Sequence, residues 1–208
     1  MSKNNLVILH GAGRLSEIIY NVVKDDYEKF YLYVDADYLK YLQSYTKIPV
    51  ISSLPDGVSA DYISTIGYKS MEKRKSAYIF MSSKDGLSSV NIVHPAAYIS
   101  PAAKIGVGNI FFPGVIVEDG VCIGDNNVFW SNACICHDAI IGNHGFFAAS
   151  VTIGGYCIIG ESCFLGFGSI VNEQLELADC TFSASGSVIV KSQLIVGARL
   201  CGVPAKVM

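Results

Sequence analysis

Val93-His94-Pro95-Ala96-Ala97-Tyr98, Ile99-Ser100-Pro101-Ala102-Ala103-Lys104 and Ile105-Gly106-Val107-Gly108-Asn109-Ile110 open a run of hexads that holds one register to Val188. The first positions are Val93, Ile99, Ile105, Phe111, Val117, Ile123, Phe129, Ile135, Ile141, Phe147, Ile153, Ile159, Leu165, Val171, Leu177 and Ser183. Only the last is not a sizeable hydrophobe. The fifth position is mostly small, as at Ala97, Ala133, Ala139, Gly145, Cys157, Cys163, Ser169 and Ser187, and glycine recurs at the second. A period of six fits neither the 3.6 of a helix nor the alternation of an ordinary strand. It predicts a parallel β-helix in which each hexad forms one flat side. The apolar residue enters the bore, the small one sits where the wall turns, and each coil covers the one beneath.

Upstream the grammar changes. Leu6–Leu9 reads as a short buried strand, followed by Gly11-Ala12-Gly13 and a helical pattern with Leu15, Ile18, Ile19, Val22 and Val23 on one face. Phe30–Val34 reads as a second strand ending at Asp35. Strand, glycine turn, helix, strand and terminal acid is the order of a nucleotide-binding βαβ unit. The glycines let backbone approach a phosphate, and the acid can accept from a ribose or base. The pattern is incomplete, because Arg14 and Ser16 stand where related sequences often carry glycine; a tight turn without a ligand stays open. Ile48–Ile51 and Tyr62–Ile66 read as further strands, Tyr68–Lys84 as a helix stopped by Asp85-Gly86, and Leu87–Val93 as a strand leading into the first coil. Lys69, Lys73, Arg74 and Lys75 read as a solvated helix face. The expected domains are 1–90, Rossmann-like α/β, and 91–208, the β-helix with a C-terminal tail.

Composition narrows the function classes. Of 208 residues, 51% are hydrophobic and 16% charged, with a net charge of -3 and no basic stripe, so no nucleic-acid partner is expected. Met1–Asn5 lacks the basic region of a signal peptide, Leu6–Leu9 is too short for its apolar core, and no run approaches a membrane span. A cytoplasmic protein with no membrane partner is expected. The seven cysteines form no CxxC pair and read as reduced, space-filling thiols. A thiol nucleophile at Cys136, next to His137, is the lesser reading, since neighbours on a strand face opposite ways. Four histidines, one outside the repeats, argue against the three-histidine zinc site of a γ-class carbonic anhydrase, and no metal is expected. His10 reads as structural and His94 as a cap of the first coil. His137 and His144 occupy turn positions and should both face outward. An imidazole beside Asp138 suits general-base work.

The His137-Asp138-Ala139-Ile140-Ile141-Gly142 segment within hexads resembles the active-site motif of the PglD/NeuD-type acetyltransferases of bacterial sugar biosynthesis. So does the whole order: Gly11 to Gly13, Asp35, Ile66-Gly67, Val93-His94-Pro95, the coils, and Gly202-Val203-Pro204-Ala205-Lys206. The resemblance implies a left-handed β-helix with three hexads per coil, a homotrimer, and acetyl transfer from acetyl-CoA to a nucleotide-linked 4-amino-4,6-dideoxy sugar. It makes His137 the general base, Asp138 its partner, and the Gly155 N–H an oxyanion donor. It gives the nucleotide sugar to Gly13, Arg14, Leu15, Asp35 and Gly67. Acetyl-CoA falls to Phe146, Phe167, Ser185 and Lys206, in a groove between two subunits. Two departures bear on the acceptor. Phe146 stands where several relatives have a second histidine, and Trp130 could line the acceptor pocket or anchor a subunit interface. O-acetylation of a sialic-acid-type sugar, and a non-catalytic β-helix that binds a nucleotide sugar or a partner protein, are the competing functions.

Overall fold

The computed structural model describes residues 4–11, 13–42 and 47–208, so Ala12 of the glycine turn lies outside the described residues. The chain divides into two compact units, 1–91 and 92–208.

The first unit runs β1 (Asn4–His10), α1 (Arg14–Val23), β2 (Tyr27–Tyr33), a 3-10 turn (Ala36–Tyr41), β3 (Val50–Ile51), β4 (Ala60–Ser64), α2 (Met71–Ser82) and β5 (Leu87–Ser89). Its sheet has the order β3-β2-β1-β4-β5 with every pair parallel. A central parallel strand has both faces covered, and Val7, Ile8 and Leu9 of β1 are fully buried. Leu15, Ile19 and Val23 set the buried stripe of α1. Helix α2 starts at Met71 rather than Tyr68 because the Ser70 side chain accepts the Lys73 N–H and caps the helix there. The strand expected over Leu87–Val93 is two: Leu87–Ser89 joins this sheet, and Ile92–Val93 is the first strand of the coil. Arg74 does not lie on a solvated face. It is fully buried, and its Nη1 donates to the Ile66 carbonyl at 2.6 Å. Burial pulls its pKa down to about 9, which leaves it charged at neutral pH.

The second unit is a parallel β-helix of triangular section. Ile135 pairs with Val117 before it and Ile153 after it, so one coil takes three hexads. The strands align into three parallel sheets. First-position side chains fill the bore: Phe111, Phe129 and Phe147 stack at 5.1 and 4.8 Å with nearly parallel rings. The polar exception Ser183 is buried too, and its hydroxyl meets that of Ser169 at 2.9 Å. The bore also takes Asn127, whose Oδ1 accepts the Gly145 N–H at 2.7 Å and whose Nδ2 donates to the Gly142 carbonyl at 3.0 Å.

From Gly108 (φ 73°) onward, the corners turn on the fourth hexad position. Asn126, Asn132, Asp138, His144, Ser150, Tyr156, Ser162, Gln174 and Cys180 have φ between 55° and 63°, and Gly114, Gly120, Gly168 and Gly186 hold the same position. At the open end of the helix Val93 is 46% exposed, because no coil lies beneath it. There the His94 Nδ1 accepts the Ala96 N–H at 3.1 Å, the expected cap. At the other end Arg199–Cys201 extends one sheet, and Lys206–Val207 folds back antiparallel upon it.

Candidate functional site

Among the described residues, a cavity in the first unit and a corner of the β-helix stand out. In the first unit, the sheet order reverses between β1 and β4, and ligands of open α/β sheets bind outside the carboxyl ends of the strands at such a point. A cavity of about 680 Å³ lies there. His10, at the end of β1, lines it with Gly11 and Gly13, Asp35 lies after β2, Ile66, Gly67 and Lys69 after β4, and Lys73 and Phe80 come from α2. A Cβ on Gly13 or Gly67 would meet nothing within 4 Å, so both glycines border open space. Gly11 is held from below: a Cβ there would meet Thr65 at 3.0 Å, and its φ is +141°. Ser16, the departure from the glycine pattern, earns its place through two buried bonds. Its hydroxyl donates to the Gly11 carbonyl at 2.5 Å and meets the Thr65 hydroxyl at 2.7 Å, tying the turn to the end of β4.

The sequence expectations divide here. Gly13, Asp35 and Gly67 line the cavity. Arg14 does not: its side chain is two-thirds exposed and paired with Glu17. Leu15 is buried in the helix face, so only its backbone could serve a ligand. Three residues read as structural or solvated belong to the cavity wall. Lys69 and Lys73 line it, with the Lys73 Nζ donating to the Tyr38 hydroxyl at 2.9 Å. His10 is 1% exposed and places Nε2 3.3 Å from the Asp35 carboxylate. Burial lowers its pKa below 6.5, against the raising effect of Asp35. A histidine at a strand end before a glycine turn, with an acid after the next strand, was the signal that could have revealed the pair.

In the β-helix, one corner stacks Asp119, His137, Gly155 and Glu173, linked by Asp138 N–H to Asp119 O, Tyr156 N–H to His137 O and Gln174 N–H to Gly155 O. The His137 side chain is 52% exposed, with Nδ1 3.1 Å from Asp138 Oδ2. A carboxylate on Nδ1 favours the tautomer that leaves Nε2 unprotonated and able to take a proton. Glu118 accepts the His137 backbone N–H at 2.8 Å, and Tyr156 presents its ring at 87° with centroids 5.2 Å apart. Gly155 faces the imidazole directly: a Cβ there would lie 2.8 Å from Cε1 and 2.9 Å from Nε2. Among the described residues no protein group accepts the Gly155 N–H.

His144 does not face outward. It is 7% exposed, with Nδ1 2.9 Å from Asn126 Nδ2 and Nε2 4.0 Å from Glu161. Phe146 is likewise buried, 3% exposed, its ring stacked on Phe164 at 5.9 Å, so it presents no ring to a ligand in this chain. Trp130 lies flat on Phe112 at 4.2 Å. It belongs to the corner that stacks Ser131, Ala149, Phe167 and Ser185, not to the His137 corner. Phe167, 57% exposed, and Ser185 offer accessible surface at that second corner, and Lys206 is exposed in the tail. Within one chain, then, His137, Asp138 and Gly155 come together, and Phe167 and Ser185 sit on another edge. Cys136 is no thiolate: burial, with Cys134 and Glu118 nearby, pushes its pKa up to about 12. Cys157 and Cys163 are buried as expected of wall residues.

No protein-family model matches the sequence, and no curated protein does. Solved structures match along the whole chain. The acetyltransferase domain of PglB from Neisseria gonorrhoeae FA1090 is 22% identical with a TM-score of 0.86, covering 99% of this chain and 100% of that one. PerB from Caulobacter crescentus, solved in complex with CoA and GDP-perosamine, is 24% identical with a TM-score of 0.83, covering 100% and 98%. WeeI from Acinetobacter baumannii AYE is 19% identical with a TM-score of 0.81, covering 98% and 99%. The chain therefore has the fold of these proteins, a Rossmann-like unit followed by a left-handed parallel β-helix.

Proposed function

We propose that this chain is an acetyl-CoA-dependent N-acetyltransferase acting on a nucleotide-linked 4-amino-4,6-dideoxy sugar in bacterial glycan biosynthesis. The observation that carries it is the half-exposed imidazole of His137, oriented by Asp138 and overlain by a glycine with a free N–H. The likeness to PerB, which was solved with CoA and GDP-perosamine, supports the substrate class. The cavity at the switch point of the first unit, with Asp35, Gly13 and Gly67, suits a nucleotide.

The chemistry follows from these groups. A neutral sugar amine attacks the thioester carbon, and the carbonyl electron pair moves to oxygen, toward the Gly155 N–H. Nε2 of His137 takes the proton lost by the amine. Collapse of the intermediate expels the CoA sulfur, which recovers that proton from the imidazolium. The products are an acetamido sugar and the CoA thiol, and His137 is restored. Phe167, Ser185 and Lys206 would meet acetyl-CoA from a second copy of the chain, in a trimer.

The test is thiol release from acetyl-CoA with UDP-, dTDP- and GDP-linked 4-amino sugars and their 4-hydroxy counterparts. Release with one amino sugar, and an acetyl group gained by it, is expected. Release only with hydroxyl acceptors would move the proposal to O-acetylation. No release and no acetyl-CoA binding at millimolar ligand would leave a non-catalytic scaffold.

A further inference from the structure

Glu118, Cys134 and Cys136 converge on the wall that leads to the His137 corner. Two sulfurs and a carboxylate oxygen lie within 4.8 Å of one another, and all three residues are half-buried. The strands place them there. Cys134 and Cys136 are two residues apart along one extended edge and so share a face. The Glu118 N–H donates to the Ile135 carbonyl at 3.0 Å, which sets Glu118 beside Cys136 in the preceding coil. The carboxylate is already steered, because one of its oxygens accepts the His137 N–H. Proton transfer by His137 uses none of these three side chains.

We propose that Glu118, Cys134 and Cys136 form a binding site for a thiophilic divalent cation of the zinc class, with solvent as fourth ligand. Two sulfurs and one oxygen match the donors such ions take, at about 2.3 Å for sulfur and about 2.0–2.2 Å for oxygen. Tetrahedral ligands at those lengths stand roughly 3.3–3.8 Å apart, so small side-chain rotations close the cluster. Magnesium and calcium prefer all-oxygen sites and are disfavoured by the sulfurs. On binding, two sulfur–metal bonds form as two thiol protons leave to solvent, the carboxylate coordinates as an anion, and nothing is oxidised or reduced. Because Glu118 also holds the His137 backbone, occupancy reaches the corner that carries the imidazole. The site stands independently of the acetyltransferase proposal.

The experiment titrates the reduced full-length chain with Co²⁺ and follows thiolate-to-cobalt charge-transfer absorption, then displaces the cobalt with Zn²⁺. One equivalent is expected, with the band lost in Cys134→Ser and in Cys136→Ser and kept in Cys180→Ser, an exposed control. Glu118→Gln should weaken binding about tenfold or more, a scale that even outer-shell partners reach. Cadmium NMR of the wild type should report two sulfur ligands, which needs no variant to fold. No band at millimolar Co²⁺, or a band that survives either serine substitution, overturns the proposal, and neither readout uses acetyl-CoA.

Discussion

Gly155 is the residue on which the geometry of the candidate base turns. The ring of His137 lies where a Cβ at position 155 would stand. Gly155 has no positive φ, so alanine is compatible with the backbone and the imidazole is what must move. Gly155→Ala should keep a near-wild-type Tm and lose about 100-fold in kcat/KM, the scale of a displacement of about 1 Å at a reacting group. Loss of stability with activity intact would show that the glycine serves only the corner. His10 makes a different prediction. Burial holds its folded pKa below 6.5, so the unfolded chain binds a proton that the folded chain refuses. Stability should decline as pH falls below about 6.5 and level off once the folded imidazole also protonates. His10→Phe should flatten the Tm profile below about pH 6.5; an unchanged slope would place the titrating group elsewhere.

The coil is the element whose strength is most local. Phe129 is sandwiched between Phe111 and Phe147 with no exposure. Phe129→Ala should cost about 3–5 kcal/mol, lost transfer energy plus a cavity that stacked coils cannot collapse. Chemical denaturation of the β-helix measures it, and a cost under about 1 kcal/mol would mean the bore is loosely filled. This element was legible because its rule is written six residues at a time: bore, wall and corner recur whatever the neighbours are. What stayed hidden depends on partners far along the chain. His144 obeys the corner rule in its backbone, yet Asn126 and Glu161 from adjacent coils bury its ring. Arg74 reads as a charged helix position until β4 brings the Ile66 carbonyl to it. His10 and Asp35 are 25 residues apart and meet only because β1 pairs with β2. Of the proposed catalytic trio, His137 and Asp138 are adjacent in the sequence, and Gly155 enters through the family resemblance. Gly155 needed the 18-residue coil to be set over the imidazole.

At the scale of the whole molecule, the surfaces assigned to acetyl-CoA and to its chemistry lie on different edges of one prism. Phe167 and Ser185 stack on one corner and His137 on the next. In the proposed trimer a second copy would bring the two together on one ligand, and three-fold closure would treat every copy alike. Light scattering should give about three times the 22.4 kDa chain mass; a stable monomer that still turns over would remove the shared groove. The most direct test of the account compares thiol release by the wild type and His137→Ala with the best amino sugar at saturating acetyl-CoA. The account predicts at least a 100-fold fall in kcat/KM with fold and assembly unchanged. Activity within about threefold of wild type, set against that range, would contradict it.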